Sequence, residues 1–162
     1  MTMNVTPDGT RGARRPPLPG PLARGMARLF TAMFRRSGRK MRVAGLPLLV
    51  LTTIGAKSGK EREAMLGWWE DPTTTDGSIL IVGSNQGLAQ QTAWLLNMAA
   101  HPDRVWIERE GGKTQVRPET LEGEERTAAW AIVAKSAQYA KYQEQTDREI
   151  PIVRLRPIAS AT

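Results

Sequence analysis

Apolar residues in this chain follow two rhythms. Over residues 21–37, Leu22, Met26, Leu29 and Met33 recur at the spacing of one helical face. Phe30 and Phe34 widen that face, and Arg24, Arg28, Thr31 and Arg35 lie opposite. The pattern predicts a basic amphipathic helix ending near Ser37-Gly38. From residue 46 the rhythm changes. Leu46 to Ile54 is a nearly continuous run of branched apolar residues, which predicts a strand over 47–54 buried on both faces. Gly55-Ala56-Lys57-Ser58-Gly59-Lys60 is a small-residue turn carrying cations, and a second strand returns over 62–70.

Further on, the pattern predicts a short buried strand over 78–83, a loop over 84–87 and a helix over 89–100 ending before His101-Pro102. Alternation over 104–110 and 114–119 around Gly111-Gly112 predicts a hairpin. A helix over 121–135 has acids near its start, which suit its dipole. A second helical piece over 137–145 and a closing strand over 150–155 follow. Mostly hairpin connections, with helices between, predict an α+β fold. About six mostly antiparallel strands would form a small barrel or strongly bent sheet with helices over its openings. The domain plan is an arm over 1–20, rich in Thr, Gly, Pro and Arg and expected to be disordered, the amphipathic helix over 21–40, and the barrel over 41–162.

Composition removes many chemistries. The 162 residues suffice for one domain with a substantial core, and 40% hydrophobic with 24% charged residues is ordinary for a globular protein. Cysteine is absent, which excludes disulfides, thiolate catalysis and thiolate metal sites. His101 is the single histidine, so a multi-histidine metal site is excluded and no metal is expected. Any reaction must therefore come from a bound organic cofactor. No apolar run is long enough to span a bilayer and no secretory signal is evident, so a cytoplasmic location is expected.

Charge is unevenly placed. Residues 1–42 hold ten Lys or Arg against one acid, whereas residues 43–162 hold thirteen against fifteen. Three uses of the basic helix compete: packing on the body, peripheral contact of residues 21–37 with an anionic membrane on the cytoplasmic face, and nucleic-acid binding. Poor aromatic interleaving and the lack of a recognised motif argue against nucleic acid.

Three segments carry candidate chemistry. The turn Gly55–Arg62 is not a phosphate-binding loop of the Walker type, because three residues separate its glycines and Glu61 stands where Ser or Thr is required. It reads either as a solvated hairpin or as a phosphate cradle, with Lys57 and Arg62 as charge partners and Ser58 as hydroxyl donor. Val82 to Met98 is a buried strand, a small polar loop and a helix start that exposes backbone donors, or a simple cap beside a core tryptophan. Tyr139 and Tyr142, the only tyrosines, share a helical face and either bind a substrate carbonyl or pack.

Taken together, these segments resemble one family. Thr52-Thr53-Ile54-Gly55-Ala56-Lys57-Ser58-Gly59-Lys60-Glu61-Arg62, then Val82-Gly83-Ser84 through Trp94-Leu95-Leu96-Asn97-Met98 and His101-Pro102, then Tyr139-Ala140-Lys141-Tyr142-Gln143 and Thr146 to Val153 are similar to the deazaflavin-dependent nitroreductase family, the actinobacterial reductases that use coenzyme F420. The match spans about residues 44–157. The resemblance implies a split β-barrel oxidoreductase. Reduced F420 would pass a hydride to a small electron-poor acceptor: a quinone, nitroaromatic or activated enone. It implies that Lys57, Ser58, Gly59 and Arg62 meet the anionic end of the cofactor. Ser84, Gln86 and Gly87 would lie along the groove, and Tyr139 and Tyr142 would line the acceptor pocket as the catalytic pair. The chain departs from the family pattern at Gln90-Gln91-Thr92, at Leu95, where a tyrosine is common, and at Ser136; Trp68 and Trp69 are candidates to cover one wall. The alternative is a split-barrel protein that binds F420, a flavin or a fatty acyl ligand without efficient turnover.

Overall fold

A computed structural model describes residues 3–14 and 20–159. Its elements are α1 (Gly20–Arg36), β1 (Arg42–Val43), β2 (Leu46–Ile54), β3 (Glu61–Gly67), β4 (Trp69–Glu70), β5 (Ile79–Val82), α2 (Ala93–Ala100), β6 (Trp106–Arg109), β7 (Gly112–Thr120), α3 (Gly123–Val133), α4 (Ala137–Gln145) and β8 (Ile152–Pro157). A 3-10 turn at Asn85–Gly87 precedes α2. All strand pairs are antiparallel.

Two strands change partner midway, and that curls the sheet. β3 pairs with β2 as far as Leu48↔Gly67, and after Trp68 the same stretch of chain continues as β4 against β5. In β7, Gly112–Gln115 face β6 and Val116–Thr120 face β8. With β3 and β4 taken as one path, six strands follow in the order β2, β6, β7, β8, β5 and back to β2. This is the mixed α+β class that the pattern predicts, in the split-barrel form that the resemblance implies. The hairpin between β6 and β7 turns on Gly111 and Gly112, whose φ of 97° and 115° would strain other residues.

β2 is buried on both faces for two separate reasons. Leu49 and Leu51 point into the main core with Ile81, Leu95, Met98, Ile107 and Val153. Leu48 and Val50, on the opposite face, pack against Phe34 of α1. Leu80, Val82, Leu121, Val133, Ile150 and Ile152 form another apolar cluster. Each such side chain contributes about 1.5–3 kcal/mol by leaving water.

The N-terminal segments differ from expectation. In α1 the side facing the body is Thr31, Phe34 and Arg35, so of the predicted apolar face only Phe34 docks. Phe34 is fully buried, whereas Leu22, Met26, Leu29, Phe30 and Met33 are all exposed, Leu29 by 61%. Ion pairs from Arg35 to Glu108 (2.8 Å) and Glu63 (2.9 Å) secure the C-terminal end of the helix. The arm, expected to be disordered over 1–20, is hydrogen-bonded to the body over residues 3–14. Gly9 N–H donates to Ala89 O and Ala13 N–H to Gly87 O, each at 2.8 Å. Residues 1–2 and 15–19 of the arm lie outside the described residues. Among the described residues no helix is long and apolar enough to cross a membrane.

The predicted helix over 89–100 begins only at Ala93. Thr92 is extended, and Gln91 N–H is taken by Asp8 Oδ1 at 2.8 Å, so the chain up to Thr92 is held out of the helix.

Candidate active site

The turn after β2 is a closed structure. Gly55 N–H donates to Lys60 O (2.8 Å) and Gly59 N–H to Gly55 O (2.9 Å). A Cβ on Gly55 would displace Ser58 Oγ from its place in the turn, and Gly59 has a φ of 67°, which favours glycine. Lys60 N–H donates to Ser58 Oγ (3.3 Å) and Ala56 N–H to Asn97 Oδ1 (3.0 Å). The remaining backbone donors, Lys57 N–H and Ser58 N–H, have no acceptor among the described residues. Neither Lys57 nor Arg62 has a carboxylate partner there, since Glu63 is paired with Arg35. The turn thus offers two N–H groups and two cations to an anion.

Asn97 shapes the site although the sequence motif that contains it assigned it no role. Besides its bond to Ala56, its Nδ2 donates to Thr53 Oγ1 at 3.1 Å, and the side chain is buried. It ties α2 to the turn. The available signal was its place as the one polar residue in the apolar helix Ala-Trp-Leu-Leu-Asn-Met-Ala-Ala.

Two cavities flank Ala93 and Trp94, one of them beside this turn. One, of about 520 Å³, is lined by Lys57, Ser58, Arg62, Leu96 and Asn97 among others. The other, of about 590 Å³, is lined by Ser84, Gln86, Thr92, Tyr139 and Tyr142 together with Phe30 of α1. Both are lined by Ala93 and Trp94, so they adjoin and together make an elongated groove, with the cationic turn beside one part and the tyrosines beside the other. Gly59 and Gly87 do not line it. Gly59 shapes the turn, and Gly87, with φ of 80°, lies where a Cβ would press on Gln145 Oε1 at 2.7 Å.

The tyrosine end is an aromatic stack. Tyr139 meets Trp69 edge-on at 4.9 Å and Tyr142 at 5.6 Å. Gln138 Nε2 donates to Tyr142 Oη at 2.6 Å, whereas Tyr139 Oη has no hydrogen-bond partner among the described residues. Burial, and then the neighbouring Tyr142, push the Tyr139 phenol above its usual range, so it stays protonated and can donate. Thr92 Oγ1, buried and also without a protein partner, is a further polar atom on a lining residue.

The departures from the family pattern fall mostly outside the groove. Gln91 is buried between Thr6 and Arg148. Leu95 is fully enclosed in the main core, so the residue at this position does not reach the groove. Trp69 backs Tyr139, and Trp68 sits against the core beneath Arg109, whose guanidinium lies 4.8 Å from its ring.

Fold and groove together define a split-barrel protein with an elongated site, cationic at one end and phenolic at the other. The sequence narrows this further. Residues 26–157 match the family model of the F420H(2)-dependent quinone reductases. An F420H(2)-dependent quinone reductase of Mycobacterium tuberculosis is 30% identical over 136 residues, covering 79% of this chain and 87% of that protein. The structure of an F420-H2 dependent reductase is 33% identical, with a TM-score of 0.59, and covers 68% of this chain and 94% of its own. Another solved structure, described as a domain-swapped dimer, is 30% identical with a TM-score of 0.61, covering 83% of this chain and 99% of its own. The chain belongs to the F420H(2)-dependent quinone reductase family. It is an oxidoreductase, and its cofactor is coenzyme F420.

Proposed function

We propose that the groove holds F420 with its anionic end at the turn and its ring toward the tyrosines. The observation that carries this reading is the adjacency of the two cavities, which share Ala93 and Trp94 as lining residues. The residues present fit the cofactor: an anionic phosphate and acidic tail need cations and N–H donors without other partners, and the turn supplies both. Lys57 and Arg62 hold the anionic end together with the Lys57 and Ser58 amides. Gly55 and Gly59 give the turn its shape, and Asn97 positions it. Ser84 and Gln86 line the path toward the ring, where Gly87 keeps the backbone close to α4.

Reduced F420 supplies the hydride, so the protein's tasks are placement and charge stabilisation. Tyr139 donates its hydroxyl proton in a hydrogen bond to the acceptor oxygen on which negative charge develops. Tyr142 and Trp69 hold the Tyr139 ring in place. The acceptor is a quinone, a nitroaromatic or an activated enone of small size. Peripheral contact with an anionic membrane on the cytoplasmic face, through residues 21–37, is supported by the exposed Leu22, Met26, Leu29, Phe30 and Met33. Phe30 belongs both to that face and to the acceptor end of the groove, so an apolar acceptor would enter from the membrane side.

The test is oxidation of F420H(2) with menadione as acceptor, followed by absorbance. The double substitution Lys57→Ala and Arg62→Ala is expected to raise KM for F420H(2) by about tenfold or more, since each charge-assisted contact is worth about 1.5–3 kcal/mol. An unchanged KM refutes the cradle.

A further inference from the structure

The loop that leads into the groove has an unfavourable backbone. Asn85, Gln86 and Gly87 take φ of 40°, 56° and 80°, three left-handed residues in succession of which only the last is glycine. Such a run is strained at each non-glycine residue and persists only where its surroundings hold it. Two sets of donors do so. The buried Arg148 donates to Gly83 O (3.1 Å), Ser84 O (2.7 Å) and Leu88 O (2.8 Å). The N-terminal arm supplies the rest: Ala13 N–H to Gly87 O and Gly9 N–H to Ala89 O. Five carbonyls in and around the left-handed run are therefore occupied, three by one arginine and two by a segment more than seventy residues away in sequence.

The arm is built for this position. A Cβ on Gly12 would collide with Ala89 N and stand 2.7 Å from Leu88 C, so only glycine passes there. Asp147 accepts from the backbone N–H of Thr10 and of Arg11, each at 2.9 Å, and from the Thr10 hydroxyl. Asp8 holds the N–H of Gln91, whose side chain in turn bonds Thr6 and Arg148. We infer that residues 6–13 are a strap that holds Asn85–Gly87 in its left-handed form. Gly12 and Asp147 are thereby positioning residues for F420 binding. The part of this inference that concerns F420 rests on the proposed site, whereas the part that concerns loop order does not.

Full-length Gly12→Val and Asp147→Ala variants test the strap by hydrogen exchange and by steady-state kinetics. Backbone amides of 84–91 are expected to exchange faster in both, with β2 and β8 unchanged. KM for F420H(2) is expected to rise about tenfold while kcat falls by less, with Asp147→Asn intermediate because it keeps one acceptor oxygen. If Gly12→Val does not fold, Asp147→Ala carries the test, since that side chain lies at the surface. Unchanged exchange over 84–91, or faster exchange spread equally through β2 and β8, overturns the strap. Faster loop exchange with unchanged KM upholds the strap and overturns its link to the cofactor; an unchanged KM in the Lys57/Arg62 variant strikes at the site alone.

Discussion

The two segments that precede the barrel make opposite use of their residues. The arm over 3–14 is polar and rich in glycine, yet it is bound to the body through backbone and carboxylate hydrogen bonds. The helix over 20–36 is strongly amphipathic, yet it leaves most of its apolar face to solvent and touches the body chiefly through Phe34, Thr31 and Arg35. Hydrophobicity is therefore a poor guide to which terminal segment docks. A chain with close-fitting glycines docks when the body presents unpaired carbonyls and N–H groups, because leaving such groups unmade costs about 1–3 kcal/mol each. An apolar helix face remains free when the barrel already has its core and needs only one aromatic plug.

The contrast is sharpest at Phe34. Phe34→Ala is expected to cost about 3–5 kcal/mol in denaturant unfolding, because the ring is fully enclosed by Leu48, Val50 and their neighbours. A loss below about 1 kcal/mol would mean that α1 is not docked at all. Next in size, Arg35→Ala is expected to cost about 1–2 kcal/mol, reduced from the value of a fully buried pair because the arginine itself is partly exposed.

The same ion pair predicts a pH effect. Arg35 holds the Glu108 carboxyl below its usual range, against the opposing effect of burial. A depressed folded-state value means the stabilisation is complete above the ordinary carboxylate range and disappears as pH falls through the lowered value. Acid titration of stability should therefore show a larger loss in wild type than in Arg35→Ala, where Arg39 alone still faces Glu108; identical acid profiles would remove the Arg35 pair from the account. The smallest expected change in stability, within about 0.5 kcal/mol, is that of Met26→Ser with Leu29→Ser, both on the exposed face. Binding of that pair to anionic liposomes is nevertheless expected to fall. Retained liposome binding would leave the exposed face without the membrane role proposed for it.

Much of the barrel was legible from pattern alone. The unbroken apolar run of β2 announced burial on both faces, and Gly111-Gly112 announced the hairpin. The groove was legible in pieces: Lys57, Ser58, Arg62, Ser84, Gln86, Tyr139 and Tyr142 all line it, while Gly59 and Gly87 shape backbone just outside. What pattern could not show was direction. Leu95 stood where a groove tyrosine is common but lies in the core, and Gln91 faces the arm. Asn97 escaped notice because its bonds to Ala56 and Thr53 join residues about forty positions apart.

By itself, the sequence determined the strands, the cationic glycine turn, the lack of thiolate or multi-histidine chemistry, and the family. These follow from local periodicity, from turn geometry and from which residue types are present. Only the tertiary structure decided that two cavities adjoin at Trp94, that Phe34 alone of the apolar face docks α1, and that a polar arm bonds to a left-handed loop. Those outcomes depend on which carbonyls and donors are left unpaired once distant segments meet, and no local pattern of residues records that.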